Sequence, residues 1–328
     1  MESTKISIVV PVYRVEEFLS RAVQSVRAQT HENWELILVD DCSPDGSGIL
    51  CDRLAAEDPR IRVIHKSENG GAAQARETGI AAATGAFIGF LDGDDYIDPD
   101  MYRTLLAEQQ AHDADVVECS YYTTTDERDT PAADSGKRVV VDRLGAMELL
   151  HSIRVMHEAL WNKLFRRELF LSDEAVAPVI IGEDYSLLVR VFARCEKVVY
   201  LETPFYHYVQ REASVCNAGY SEKHRAALEN WRTHRAQLSA AYPTIASAIT
   251  AKLLFNEMSV LAAMTKNKCY DKEVIRIVRR DVRACFRLAM KSKSRTLMAT
   301  GSLLLTAISP RLLMWMYRIL FRGQRTSR

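Results

Sequence analysis

The run Ala86 to Leu91, AFIGFL, is apolar at every position and leads straight into Asp92-Gly93-Asp94-Asp95. A short stretch with no polar alternation is the pattern of a strand buried on both faces, which belongs in a sheet covered by helices on each side. That constraint points to an α/β protein. The acids that follow carry the second constraint. In extended chain Asp92 and Asp94 project to one side and Asp95 to the other. Two carboxylates about 4 Å apart repel by roughly 1 to 4 kcal/mol, depending on the local dielectric. A hard divalent cation, Mg²⁺ or Mn²⁺, relieves such repulsion when one or two carboxylates hold it and substrate phosphates complete its shell. A solvated turn is the plain alternative. A calcium loop is excluded, because the sixth position from Asp92 is Ile97 and the twelfth is Arg103. An aspartyl phosphatase would carry its Asp-x-Asp on the first strand, followed by a small hydroxyl residue, whereas Tyr96 follows here.

The preceding chain supplies the rest of the sheet. Ile6 to Val10, ending in Pro11, Val12 and Tyr13, reads as a first buried strand. Phe18, Leu19, Ala22, Val23 and Val26 recur at helical spacing. Leu36 to Val39 is a second strand, closed by Asp40, Asp41 and Cys42. Ser43-Pro44-Asp45-Gly46 is turn chemistry opening a helix whose expected inner face is Ile49, Leu50 and Leu54. Ile61 to Ile64 is a third strand, and Asn69-Gly70-Gly71 precedes an Ala-rich helix to Ala83. Alternation of this kind predicts right-handed crossovers and a mostly parallel, Rossmann-like sheet flanked by helices. Ligands of such sheets sit beyond the carboxyl ends of the strands, where Asp41 and Asp92 both fall. A dinucleotide fold is disfavoured, since Pro11 to Glu16 contains no glycine where G-x-G-x-x-G is needed. A P-loop is absent too, and a sugar-phosphate nucleotidyltransferase would want a glycine-rich turn at the same place.

Charge divides the chain unevenly. From Lys266 onward lie sixteen of its 43 Lys and Arg but only three of its 43 acids, an acidic body with a basic tail. Net charge is zero, so no global nucleic-acid footprint shows. Seven scattered cysteines, none in CxxC spacing, suggest neither zinc nor a disulfide framework and fit a reducing cytosol. No basic-then-apolar leader is read at the N-terminus.

The blocks ISIVVPVYRVEEFLSRAVQSVRAQT, WELILVDDCSPDGS, ENGGAAQARETGIAAATGAFIGFLDGDD, WNKLFRRELF, GEDYSLLVR and TPFYHYVQREASV together resemble family-2 glycosyltransferases of the GT-A fold. The similarity is greatest to bacterial enzymes that build capsule, exopolysaccharide or lipopolysaccharide, and it covers residues 5 to 216. The resemblance implies an inverting, hexosyltransferase-like enzyme using a nucleotide-sugar, usually a UDP-sugar, with Mn²⁺ or Mg²⁺. It implies nucleotide contacts from Pro11, Val12 and Tyr13 at the strand end, and from Asp41, which would accept the imide N3–H of uracil. On the residues alone, Asp40 and Asp41 serve equally to cap the Ser-Pro-Asp-Gly turn. Arg76 is implied near the diphosphate, with Glu77 standing where many relatives have Asn. Asp92 is implied towards ribose and metal, Asp94 as metal ligand, and Asp95 behind them.

Gly182-Glu183-Asp184 opens a helix, where acids are ordinary partners of the helix dipole. The family block instead makes Asp184 the general base with Glu183 in support. A helix N-terminus lowers a carboxylate's pKa, which pulls against the upward tuning of a base. Trp161 fits either a sugar-stacking platform on the acceptor side or a core position. Lys163 and Arg166 suit an anionic acceptor or solvent. His207 and Arg211 are candidate phosphate contacts, followed by Ser214, and residues 123 to 136 read as a polar loop.

The expected organisation is a nucleotide-sugar-binding and catalytic domain over residues 1–216, a helical extension over 217–293 and a basic, apolar tail over 294–328. In that tail Leu297 to Ile308 and Leu312 to Phe321 are each too short to span a bilayer, and Pro310 divides them. Trp315, Tyr317 and nearby arginines suit a water–lipid boundary, so residues 295–328 are expected to rest on an anionic membrane or else to pack as a hairpin or dimer contact. The expected acceptor is a glycan or lipid-linked glycan, at the inner face of the cytoplasmic membrane. The reading from another class is a non-catalytic sugar-nucleotide-binding or scaffold protein that kept the fold.

Overall fold

The structure, a computed structural model, describes residues 4–125, 128–152, 157–171, 182–210 and 220–323, with side chains described as far as residue 319. The chain divides into two units, Met1–Ala146 with Glu158–Arg211, and Met147–His157 with Glu212–Arg328. Helices 297–308 and 310–323 fall in the same unit as the helices before them.

The first unit begins as β1 (Ile6–Val12), α1 (Glu16–Arg27), β2 (Trp34–Asp40), α2 (Ser47–Glu57), β3 (Ile61–His65), α3 (Gly71–Ala82) and β4 (Phe87–Phe90). All seven β2 residues are buried, as a run without polar alternation requires. These strands are parallel in the order β3-β2-β1-β4. Because β1 has β2 on one side and β4 on the other, the crossovers part there and open a crevice at the carboxyl ends. The register pairs Val12 with Asp40 and Val9 with Phe90, so Tyr13, Asp41 and Asp92 leave the sheet along one edge. Gly89 interrupts the apolar β4 run for a packing reason. A Cβ there would stand 2.4 Å from the Tyr102 hydroxyl, so the buried tyrosine ring occupies the space a side chain would need. In α2 the buried face is Ser47, Leu50, Cys51 and Leu54; Ile49, expected inside, is 78% exposed, one residue of helical rotation away.

Beyond β4 come β5 (Tyr96–Ile97), α4 (Met101–His112), β6 (Val116–Thr124), β7 (Asp129–Pro131), β8 (Arg138–Asp142), α5 (Arg143–Leu150), β9 (Lys163–Arg166), α6 (Glu183–Phe192) and β10 (Lys197–Val209). The sheet continues as β9-β6-β10-β5, with β7 beside β6 and β8 beside β10. This half is mixed: β9 is antiparallel to both β4 and β6, while β6 and β10 are parallel. Residues 129–131, inside the stretch read as a polar loop, form a strand on β6. Neither charge of β9 is left for a substrate. Lys163 is wholly buried and paired with Glu118 at 3.2 Å, and Arg166 binds Asp113 and Asp115.

At the opposite edge of the sheet Glu35 gathers Ser7 Oγ at 2.5 Å, the Thr84 amide at 2.7 Å, Thr84 Oγ1 at 2.8 Å and Lys5 Nζ at 3.1 Å. Burial alone would raise its pKa, but these donors outweigh burial and hold the carboxyl at about 2. A folded pKa below the unfolded one gives stability that is complete above about 4.3 and lost as pH falls through the folded value. Glu35→Gln is therefore expected to cost about 2–3 kcal/mol near neutral pH, shrinking as pH drops from about 5 to about 2. Urea titrations of the two proteins across that window read the difference, and a pH-independent gap would refute the assignment.

The second unit is helical: α7 (Glu222–Ala241), α8 (Ala246–Lys266), α9 (Lys272–Ala289), α10 (Leu297–Ile308) and α11 (Pro310–Gly323). The stretch Pro243–Lys266 is long and apolar enough to cross a membrane by length and composition, but 72% of its apolar window is buried. It is the core helix of this unit.

Candidate active site

Three loops meet at the carboxyl ends of β1, β2 and β4. At the end of β1, Pro11 is half-buried and Val12 is buried, and the next residue, Tyr13, is 41% exposed with the Arg14 guanidinium 5.3 Å above its ring. After β2 the two acids part ways. Asp40 caps the expected turn, accepting the Ser43 amide at 3.0 Å and His65 Nδ1 at 2.9 Å. Asp41 organises a different turn: its Oδ1 takes Lys66 Nζ and the Gly70 amide, and its Oδ2 takes the Gly71 amide at 2.7 Å. Asn69 Nδ2 reaches its carbonyl at 3.1 Å. Asp41 thus fixes the loop from which α3 starts, with Gly71 supplying the φ of 82° that an L side chain resists. Lys66 was not picked out from the sequence; a lysine one residue past a strand end carries little signal by itself.

After β4 the acidic loop is tied down from several sides. Gly93 brings it against β1, since a Cβ there would lie 3.0 Å from Val15 Cγ2 and 3.4 Å from the Pro11 carbonyl. Arg21 donates to the Asp94 carbonyl at 2.8 Å. Asp95 is an anchor: it accepts the Tyr206 hydroxyl at 2.7 Å and the Val209 amide at 2.8 Å, while the Asp92 amide donates to Tyr206 Oη at 3.2 Å. Burial, reinforced by Asp92, pushes the Asp95 pKa up to about 8.

Arg76, on α3, joins the acidic loop to α6. Its Nη2 donates to Asp92 Oδ1 at 2.8 Å and its Nη1 to Asp184 Oδ1 at 2.7 Å, with Glu183 Oε1 3.8 Å away. The residue is only 5% exposed. Burial works against its charge, but Asp184, Asp92 and Glu183 together keep it firmly cationic. The acids respond to the same crowding. Burial raises the pKa of both Asp184 and Glu183, with Arg76 opposing in each case. The helix dipole pulls the other way and loses. Gly182, at φ 81°, turns the chain into α6 so that both acids face the guanidinium, and the Leu160 amide also reaches Asp184. One guanidinium thus faces three carboxylates, an arrangement with negative charge to spare.

The donor chemistry fits a hard divalent ion, being all oxygen. Among the described residues no three His, Cys, Asp or Glu side chains converge as a ready-made metal site. An ion on Asp92 and Asp94 would draw its remaining ligands from a substrate, which is how Mg²⁺ usually sits on one or two carboxylates.

Trp161 takes the core position that was one of its two readings, and His207, read as a candidate phosphate contact, is enclosed by other partners. Trp161 is 5% exposed, stacked on Tyr206 at 4.1 Å and edge-on to Tyr121 at 5.2 Å, so it supports the ring that holds Asp95. His207 is buried between Tyr96 and Tyr122, with Nε2 3.1 Å from Asp98 Oδ1 and Nδ1 3.5 Å from Asp129 Oδ2. Two carboxylates at its nitrogens make it a poor phosphate contact. Arg211 and Ser214 lie outside the described residues.

Residues 7–173 match the sequence profile described as Glycosyl transferase family 2. The chain is 37% identical over 227 residues to the uncharacterized glycosyltransferase EpsJ of Bacillus subtilis, covering 66% of this chain and 64% of that protein. It is 34% identical over 224 residues to glycosyltransferase GlyG of Streptococcus pneumoniae, covering 65% of this chain and 73% of that one. The chain thus spans a little under two thirds of the length of EpsJ. Among solved structures, Staphylococcus aureus TarS 1-349 in complex with UDP-GlcNAc superimposes with a TM-score of 0.66 at 17% identity, over 99% of this chain and 93% of that one. Mannosyltransferase PcManGT from Pyrobaculum calidifontis, with GDP-Man and Mn²⁺, gives 0.52 at 14% identity over 95% and 88%. At these identities the structural likeness concerns the fold alone.

Proposed function

The chain belongs to glycosyl transferase family 2, and on that footing we propose that it is an inverting transferase. In this reading it moves a sugar from a UDP-sugar to a hydroxyl of a growing bacterial cell-surface glycan. The observation that carries the reading is the Arg76 bridge, which draws Asp92 of the acidic loop and Asp184 of α6 onto one guanidinium. A donor-side acid and an acceptor-side base must lie on opposite sides of one sugar carbon for direct displacement, and here a single side chain sets their separation.

The residues divide the work as follows. The uracil rests at the ends of β1 and β2, on Pro11, Val12 and Tyr13. Its imide N–H goes to Asp41 Oδ2, which keeps a lone pair beyond its bond from Gly71. Asp92, with one oxygen on Arg76, and Asp94 would hold the ion, and Asp92 would also face the ribose. When bound, Mn²⁺ or Mg²⁺ supplies Lewis-acid stabilisation of the charge that develops on the departing diphosphate. Asp184, about 22% exposed, takes the proton of the acceptor hydroxyl as that oxygen attacks the anomeric carbon from the face opposite the nucleotide. Glu183 shares the negative potential, and Arg76 keeps Asp184 oriented without meeting the substrate.

A panel of nucleotide-sugars, assayed for nucleotide release with Mn²⁺ and with EDTA, tests the proposal. Release of UDP from one or a few UDP-sugars, lost on chelation and stimulated by an oligosaccharide acceptor, is expected. Release of phosphate or pyrophosphate would assign a different transfer. Tight UDP binding without any turnover across donors and acceptors would leave a binding protein.

A further inference from the structure

In the second unit, α10 contains no charged residue, yet one of its faces is exposed. Leu297, Leu304 and Ile308 share that face at helical spacing, with relative exposures of 92%, 44% and 62%, and Met298 stands beside them at 64%. The opposite stripe, Ala299, Ser302, Leu303 and Thr306, is buried, so the unit's own core is already served. Helix α11 repeats the arrangement with Leu312, Trp315 and Ile319 exposed while Leu313 and Met314 are buried. Two adjoining helices with apolar outer faces form a patch that water disfavours.

The rim of this patch is basic. Arg279 and Arg283 of α9 donate to the Ile308 and Ala307 carbonyls, each at 2.7 Å, which sets two guanidinium groups at the carboxyl end of α10. Arg311 and Arg318 flank Trp315 on α11. With Tyr270 and Met314 these three line a notch of about 210 Å³ that contains no acid. Neither α10 nor α11 has an acidic residue in its sequence; of the two α9 acids, Asp281 is consumed by Arg232, Arg235 and Arg280, and Glu273 is paired with Arg225 at 3.5 Å.

We propose that the outer faces of α10 and α11 dock on an anionic bilayer surface, with Arg311 and Arg318 seating a lipid phosphate in the notch beside Trp315. Aliphatic side chains towards the acyl boundary, an exposed tryptophan and tyrosine at headgroup level, and arginines on phosphate are what such a surface selects. The helices lie on the membrane rather than cross it, being 12 and 14 residues long where about 20 are needed. A second copy is the weaker occupant, because a two-fold contact through this patch would face the four arginines with their own copies.

The full chain is sedimented with vesicles of phosphatidylcholine alone, and with vesicles holding roughly one part phosphatidylglycerol to three of phosphatidylcholine. Binding to the anionic vesicles only, weakened by salt, is expected. The double variant Arg311→Gln, Arg318→Gln should lose about thirtyfold in partitioning, roughly fivefold per arginine. Both positions are exposed, so folding is not at risk. Trp34, Trp161 and Trp231 are buried and Trp315 is 62% exposed, so fluorescence quenching by a lipid-borne quencher should appear in the wild type and vanish in Trp315→Phe. No sedimentation with anionic vesicles would overturn the proposal. So would binding unaffected by the double variant, or dimerisation through this patch without vesicle binding.

Discussion

Asparagine in place of Asp184 is expected to lower turnover by about a thousandfold while leaving UDP affinity within a few-fold of wild type. The split follows from where the side chain stands. Asp184 and Asp92 take different nitrogens of Arg76, Nη1 and Nη2, so its loss removes the proposed base without breaking the bond to the acidic loop. The amide of asparagine keeps one oxygen for the 2.7 Å bond from Arg76, so orientation persists and only proton acceptance disappears. Burial raises the pKa of both Asp184 and Glu183 against the pull of Arg76, the direction that tunes a carboxylate towards accepting a proton. A merely structural acid at a helix start would behave differently: the variant would lose a few degrees of melting temperature and no rate. Steady-state kinetics beside calorimetric UDP binding distinguish the two. Unchanged turnover would remove Asp184 from the reaction and leave Glu183 as the acid to test.

The four parallel strands were legible because each holds a short apolar stretch, broken only by Ser7 in β1 and Arg62 in β3, and a stretch of that kind has few places to go in a folded chain. Legibility ended where structure depends on a distant partner. The pairing of Lys163 with Glu118 joins residues far apart in sequence, and the charge of Lys163 masked β9, a strand held between β4 and β6. His207 and Trp161 are aromatic residues in blocks near a site, which the sequence cannot tell from aromatic residues beneath one. Their neighbours across the sheet, Tyr96, Tyr122 and Tyr206, decide the matter. Asp41 was read as a base contact or a cap of the turn that follows it. Its carboxylate also holds the turn at Asn69 to Gly71, which no local pattern announces. Arg76 stood out only through resemblance; an arginine in an Ala-rich helix gives no sign that it will meet Asp184, 108 residues further on.

Alanine at Asp94 is expected to have the largest effect on donor binding. The acidic loop divides its carboxylates among tasks. Asp95 gives its oxygens to Tyr206 and Val209, and Asp92 gives one to Arg76, so those two anchor the loop on either side of position 94. Arg21 grips the Asp94 carbonyl, not a group that alanine would remove. The backbone should therefore survive the change, and the melting temperature should move little. The ion, by contrast, would lose one of at most two protein ligands. Altering residues that merely support a ligand costs 10- to 100-fold in metal affinity, so losing a ligand itself should cost about 100-fold or more. Calorimetric titration of UDP into wild type with Mn²⁺ and with EDTA, beside Asp94→Ala, measures this directly. The variant should bind UDP in Mn²⁺ no better than wild type does in EDTA, and transfer should be undetectable. Should Asp94→Ala keep both its manganese-dependent heat and its turnover, the charge left over around Arg76 serves something other than a metal, and the donor diphosphate must be neutralised by basic side chains alone.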